Sequence, residues 1–208
     1  MGSHSIILAS EALNQLRSGN QRFASGNPTH HLGIIKRTEL LMGQFPKAVI
    51  IGCSDSRVPA EIVFDQGLGD LFVIRIAGNI VAPSQIGSVE FAVEQFGTRL
   101  IVVLGHSQCG AIKAAIDTIK NPDTQHSRNM SSIVDRIKPA IKDIDFSDWS
   151  NSQDKLAALA VRANISFSIS QLRDGSSILE QSIQDSGVEI IGAEYSLENG
   201  LVTFLNGL

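Results

Sequence analysis

Cys53 and Cys109 are the only cysteines in the 208-residue chain, and each opens or closes a short polar run set directly behind an apolar one. Cys53-Ser54-Asp55-Ser56-Arg57 follows Ala48 to Gly52, and His106-Ser107-Gln108-Cys109-Gly110 follows Leu100 to Leu104. Two thiols and an imidazole form a zinc set of the catalytic kind, in which three protein ligands leave a fourth position for water or substrate. His106 and Cys109 stand three residues apart on a loop entering a helix, so both can reach one ion, while Cys53 arrives from a distant segment. The amino end of that helix favours the thiolate form that a metal ligand needs. Taken singly, a cysteine behind a buried strand is more often a small core residue and a histidine more often a solvated one. Here both cysteines and a histidine fall at strand ends beside an Asp and an Arg, which a core does not tolerate unpaired, and the joint pattern favours a site. A Cys-His nucleophile pair is the other chemistry these types allow, but it leaves the second cysteine and Asp55 without roles. The chain has no nucleotide phosphate loop and no zinc deaminase signature, and Cys53 to Arg57 is too short for a Cys-x5-Arg phosphatase loop.

Elements that bring these runs together are readable from periodicity. Ala48 to Gly52, Leu71 to Ile76 and Leu100 to Leu104 are compact aliphatic runs without polar alternation, as parallel strands covered on both faces require. Helical patterns lie between them, clearest over Gln85 to Phe96, where Ile86, Val89, Val93 and Phe96 share a face, and again from near Cys109 to Lys120. Upstream, Ser10 to Phe23 reads as an amphipathic helix with Ser10 as its N-cap, and a second helix spans Ile34 to Met42 and ends at Gly43. Downstream, helices are expected at Met130 to Ile144, Asp154 to Leu172 and Ser177 to Asp185. A buried strand follows at Val188 to Ala193, and Tyr195 to Leu205 forms a hairpin turning at Glu198-Asn199-Gly200. The expected architecture is an α/β domain over residues 1–208 with a mostly parallel central sheet of four to five strands, flanking helices and an N-terminal helical arm. Ligands bind such sheets at the carboxyl ends of strands, where both polar runs fall. If the two strands are neighbours, Cys53, His106 and Cys109 converge.

Composition sets the surroundings. Hydrophobic residues make up 43% and charged ones 18%, enough for one sizeable core. With 17 basic against 21 acidic residues and no basic cluster, nucleic acid is not an expected partner. No apolar run approaches the ~20 residues that span a bilayer, so no membrane insertion is expected. Met1 to Ser5 has the composition of a cloning scar rather than a secretory signal, and two cysteines are too few for a disulfide framework. Both point to the cytoplasm.

The two polar runs, with Val58-Pro59-Ala60-Glu61 after the first and Gly105-His106-Ser107-Gln108-Cys109-Gly110-Ala111 as the second, resemble the two signatures of the beta-class carbonic anhydrases, in their order. The similarity covers roughly Phe23 to Ile119 and, more weakly, the final strand. It implies one Zn2+ per chain on Cys53, His106 and Cys109, and reversible hydration of carbon dioxide to bicarbonate by hydroxide held on that zinc. It also implies that Asp55 and Arg57 act as a pair, with Asp55 orienting the hydroxide and, in a closed state, serving as a fourth ligand. Gln44, Phe72 and Gly110 match substrate-pocket positions, the first two lent across a dimer interface, so a homodimer or a dimer of dimers follows. In some members a Trp, an Arg and a Tyr form a bicarbonate pocket that closes the site. Arg75 and Tyr195 match, but Ile50 stands where the Trp would be, leaving a vestigial pocket and an expected open resting site with Asp55 on Arg57. Two rivals remain at this point: hydrolysis of another cumulated molecule such as carbon disulfide, and a non-enzymatic module with zinc closed by Asp55. His30, His31 and His126 are read as ordinary surface histidines.

Overall fold

The computed structural model describes residues 6–29 and 34–205. Met1 to Ser5, His30 and His31 lie outside them. Five strands form one sheet: β1 (Ala48–Gly52), β2 (Leu71–Arg75), β3 (Leu100–His106), β4 (Glu189–Tyr195) and β5 (Val202–Leu205). Their order is β2-β1-β3-β4-β5, parallel except for β5, which turns back on β4 as the C-terminal hairpin. The aliphatic runs are buried throughout β1 and β3 because helices cover both faces.

Side chains alternate between the faces. Ala48, Ile50, Leu100, Val102 and Leu104 face α1 (Ala9–Ala24) and the short α3 (Ala60–Val63). Val49, Ile51, Ile101 and Val103 face the larger layer of α4 (Pro83–Phe96), α5 (Gly110–Lys120), α6 (Arg128–Ile141), α7 (Trp149–Asp174) and α8 (Ser177–Ser186). A short α2 (Ile34–Glu39) precedes β1. The chain leaves β1 towards β2 and leaves β3 towards β4. The crevice between the carboxyl ends of β1 and β3 is therefore the switch point of the sheet.

Several boundaries move from their sequence positions, each for a local reason. Ser10 is not the cap of α1: the Leu8 carbonyl already accepts from the Ala12 N–H at 3.0 Å, so the helix starts before Ser10. β3 does not stop at Leu104 but runs to His106, because β4 continues to pair with it through Gly105 with Glu194 and His106 with Tyr195. α7 begins at Trp149, yet Ser152 leaves helical geometry (φ −131°), so its regular part starts close to the expected Asp154. Gly105 allows α7 to lie close on β3, since a Cβ there would sit 2.7 Å from the Ile165 side chain.

Candidate metal centre

Parallel pairing sets Gly52 of β1 beside Leu104 of β3. Cys53 is the first residue past β1, His106 the last of β3, and Cys109 the N-cap of α5. Gln108 takes a left-handed φ of 57°, which turns the chain between His106 and Cys109 so that both face the same point. One ligand atom from each of the three residues lies within 4.8 Å of the other two, and the sulfurs are 4.0 Å apart. All three are buried, His106 completely.

Backbone groups orient each donor. His106 Nδ1 meets the Ser107 carbonyl at 2.9 Å. A carbonyl only accepts, so Nδ1 carries a proton, which in a neutral imidazole leaves the Nε2 lone pair for a metal. Nε2 has no hydrogen-bond partner despite complete burial. The Ser107 peptide is itself fixed, its N–H on Tyr195 O and its Oγ accepting from Leu197 N–H, both at 2.9 Å. Cys53 Sγ accepts from Gly78 N–H at 3.3 Å and Asp55 N–H at 3.4 Å, while Cys109 is met by the Ala111 and Ile112 N–H groups of the α5 amino terminus.

The sulfurs are electrostatically coupled. A hydrogen bond from Cys109, opposed by burial and helped by His106, Gly78 and Asp55, lowers Cys53 to about 4. The same hydrogen bond, with burial, pushes Cys109 far up. So close a buried pair shares one negative charge unless a cation lies between the sulfurs, which then keeps both ionised. Two thiolates and a partnerless imidazole nitrogen are donors that suit zinc.

Beside the triad, Asp55 and Arg57 form a two-pronged pair: Nε to Oδ1 at 2.9 Å and Nη2 to Oδ2 at 2.7 Å, with Arg57 N–H on Oδ1 at 3.0 Å. The Arg57 guanidinium, more than any other neighbour, holds the Asp55 carboxyl well below the usual carboxylate range. Asp55 Oδ2 nevertheless lies 4.0 Å from His106 Nε2, at the border of the centre. Arg75 braces the same loop, donating to Cys53 O at 3.0 Å and Asp55 O at 2.6 Å.

The remaining sequence candidates fall elsewhere. Gly110 is the first residue of α5, exposed, with open space where a Cβ would stand. Phe72 pairs with Val49, four residues before Cys53, so it lies about 13 Å up-strand of the ligands. It packs against Phe91 and Phe96, and Gln44 is exposed before β1. Ile50 and Tyr195 are buried on the α1 side of the sheet, where Tyr195 stacks near Phe23 and burial raises its phenol. His126 is half-buried, its Nε2 2.9 Å from Thr118 Oγ1.

Sequence reasoning missed Ser107 and Gly78, which orient ligands, and Asn164 and Ser168 on α7, which bond to the Gly78 and Asn79 carbonyls. The signal for the last two was present: polar residues four apart inside the apolar stripe Val161, Ile165, Ile169, Leu172. Among the described residues no helix is long and apolar enough to cross a membrane.

Comparison with known proteins bears on this arrangement. Residues 48–202 match the profile of the carbonic anhydrase family. The chain is 38% identical over 190 residues to carbonic anhydrase 2 of Mycobacterium tuberculosis, covering 91% of this chain and 89% of that protein. A beta-carbonic anhydrase structure from Aspergillus fumigatus superposes with a TM-score of 0.74 at 23% identity, covering 95% and 90% of the two chains. A structure described as one of two tetrameric beta-carbonic anhydrases of Sordaria macrospora gives 0.72 at 23% identity, covering 95% and 96%.

Proposed function

This chain belongs to the beta class of the carbonic anhydrase family, and on that premise we propose that Cys53, His106 and Cys109 hold one zinc ion per chain, beside which the enzyme reversibly hydrates carbon dioxide to bicarbonate and a proton. The observation that carries the metal assignment is His106 Nε2: fully buried, without a hydrogen-bond partner, in a residue that brings a ligand atom within 4.8 Å of both sulfurs. An imidazole lone pair left so in a core is costly, and a cation satisfies it.

Bound there, zinc supplies a water acidified to near neutral pH, the nucleophile that carbon dioxide needs. The protein supplies orientation and charge. Asp55, kept ionised by Arg57, can only accept hydrogen bonds, so it fixes the direction of the nucleophile's remaining hydrogen. Arg57 holds both carboxylate oxygens, which keeps them from taking the fourth ligand position. That pairing favours an open resting site over a permanently closed zinc module, and Arg75, engaged with Cys53 O and Asp55 O, acts as a loop brace rather than an anion receptor. Gly110 stands at the positive end of α5, with open space where a Cβ would be, and its N–H is assigned to a developing bicarbonate.

Gln44 and Phe72 serve the partner's site across a homodimer. In support, β2 is an edge strand, Phe91 beside its Phe72 is exposed, and Leu41, Met42 and Phe45 on the segment before β1 are exposed apolar side chains. Two such dimers would assemble like the tetrameric Sordaria proteins. Carbon dioxide and bicarbonate are the small-molecule partners of this reading. The chain works as one domain in the cytoplasm, a reading supported by its single sheet and two free thiols.

X-ray absorption at the zinc edge, with elemental analysis, tests the centre. The expected shell has two sulfurs at about 2.3 Å and an imidazole nitrogen near 2.0 Å, with one zinc per chain that is mostly lost in Cys109→Ser. A sulfur-free shell, or full zinc in that variant, overturns the assignment.

A further inference from the structure

Asn164 and Ser168 stand one turn apart on α7, each 1% exposed, and their side-chain donors go to backbone carbonyls rather than to Cys53, His106 or Cys109. Asn164 Nδ2 donates to Gly78 O at 2.8 Å and Ser168 Oγ to Asn79 O at 3.1 Å. From the other side of the same turn, Gly78 N–H donates to Cys53 Sγ at 3.3 Å. Resting on the zinc reading above, we propose that Asn164 and Ser168 are positioning residues: they hold the Gly78 N–H against the Cys53 sulfur and so set its donor strength and the grip on zinc.

The turn needs an outside hold. Gly78 and Asn79 both have left-handed φ values, 69° and 43°; glycine takes such values freely and asparagine more readily than other residues, so the conformation is accessible but is not fixed by these two residues alone. Within the turn a single backbone bond operates, Asn79 N–H to Ile76 O at 3.0 Å. Asn79 Nδ2 is buried without a partner, so its side chain does not steady the turn through that donor. α5 and α6 press from one side, since a Cβ at Gly78 would meet Ile137 Cδ1 at 2.8 Å and Ala111 Cβ at 3.1 Å. The two α7 side chains fix the carbonyls, and with them the peptide plane that aims the N–H. An N–H bond withdraws charge from a thiolate, so its loss makes the sulfur a stronger electron donor and leaves it less well placed. Partners of this kind alter metal affinity by ~10 to 100-fold.

Chelator competition for zinc and the thiolate-to-metal charge-transfer band of the cobalt(II)-substituted protein test this in Asn164→Leu and Ser168→Ala. Ser170→Ala, an exposed hydroxyl on the same helix that bonds Ser166 O, is the control. Asn164→Leu is expected to weaken zinc binding about tenfold or more and to move the cobalt band to longer wavelength. Ser168→Ala should shift the band less, in the same direction, and the control should match wild type. If Asn164→Leu does not fold, the band of Ser168→Ala decides. Variants that fold and melt lower, yet keep wild-type zinc affinity and an unmoved band, reduce the pair to packing and overturn the inference. Wild-type protein that takes up neither metal overturns the metal assignment itself, and the inference with it.

Discussion

Asp55 and Arg57 show how two side chains divide one task. The carboxylate lies 4.0 Å from His106 Nε2, near enough to be a ligand, and the guanidinium engages both of its oxygens. On the proposed mechanism, Asp55→Ala removes the acceptor that orients the nucleophile. Arg57→Ala frees a carboxylate to turn on the metal. Each is expected to lower carbon dioxide hydration about 100-fold, the scale of losing one preorganised electrostatic partner, while circular dichroism and zinc content stay near wild type. Arg57→Lys should fall between, because an ammonium keeps the charge but not the planar fork. Wild-type rates in Asp55→Ala would make the pair merely structural. These residues were readable because charged types directly behind a buried aliphatic run have few bland explanations. Ser107 and Gly78 were not, since what matters in each is a backbone group whose direction depends on strands and helices distant in sequence.

At the scale of elements, Asn20 ties three together. Its Nδ2 donates to Val63 O at 3.1 Å and Gly200 O at 2.9 Å, and its Oδ1 accepts from Val202 N–H at 2.8 Å, joining α1, α3 and the C-terminal hairpin. Asn20→Ala leaves these buried backbone groups unpaired and is expected to cost about 2–4 kcal/mol in thermal or urea unfolding, without loss of zinc. A loss below about 0.5 kcal/mol, the range of surface changes, would mean that the hairpin is held by its apolar contacts alone. Apolar runs located β1, β2, β3 and β4, because parallel strands covered by helices are largely apolar, while the antiparallel β5 was signalled by the turn residues Glu198-Asn199-Gly200 of the expected hairpin. Apolar patterning stopped β3 at Leu104, since Gly105 and His106 break the run, although β4 pairs on to His106. Periodicity sees burial but not hydrogen bonding, and so it also passed over Asn164 and Ser168, which look like interruptions of an apolar stripe until their partners are known.

For the whole molecule, the register holds Phe72 near the far end of the sheet from Cys53, so the proposed pocket role of Phe72, and of Gln44 with it, requires a second copy. Met42 and Phe45, 93% and 50% exposed, belong to the apolar margin assigned to the partner. The double substitution Met42→Glu with Phe45→Glu is expected to shift sedimentation from dimer to monomer and to lower hydration activity while one zinc per chain remains. Full activity in a monomer would remove the shared-pocket assignment. The most direct test of the central claim is stopped-flow carbon dioxide hydration by protein of known metal content, before chelation, after it, and after titration with zinc. The expected result is activity that disappears with the metal and returns in proportion to zinc, levelling at one ion per chain. Undiminished turnover by metal-free protein, or none by protein carrying one zinc per chain, would contradict it.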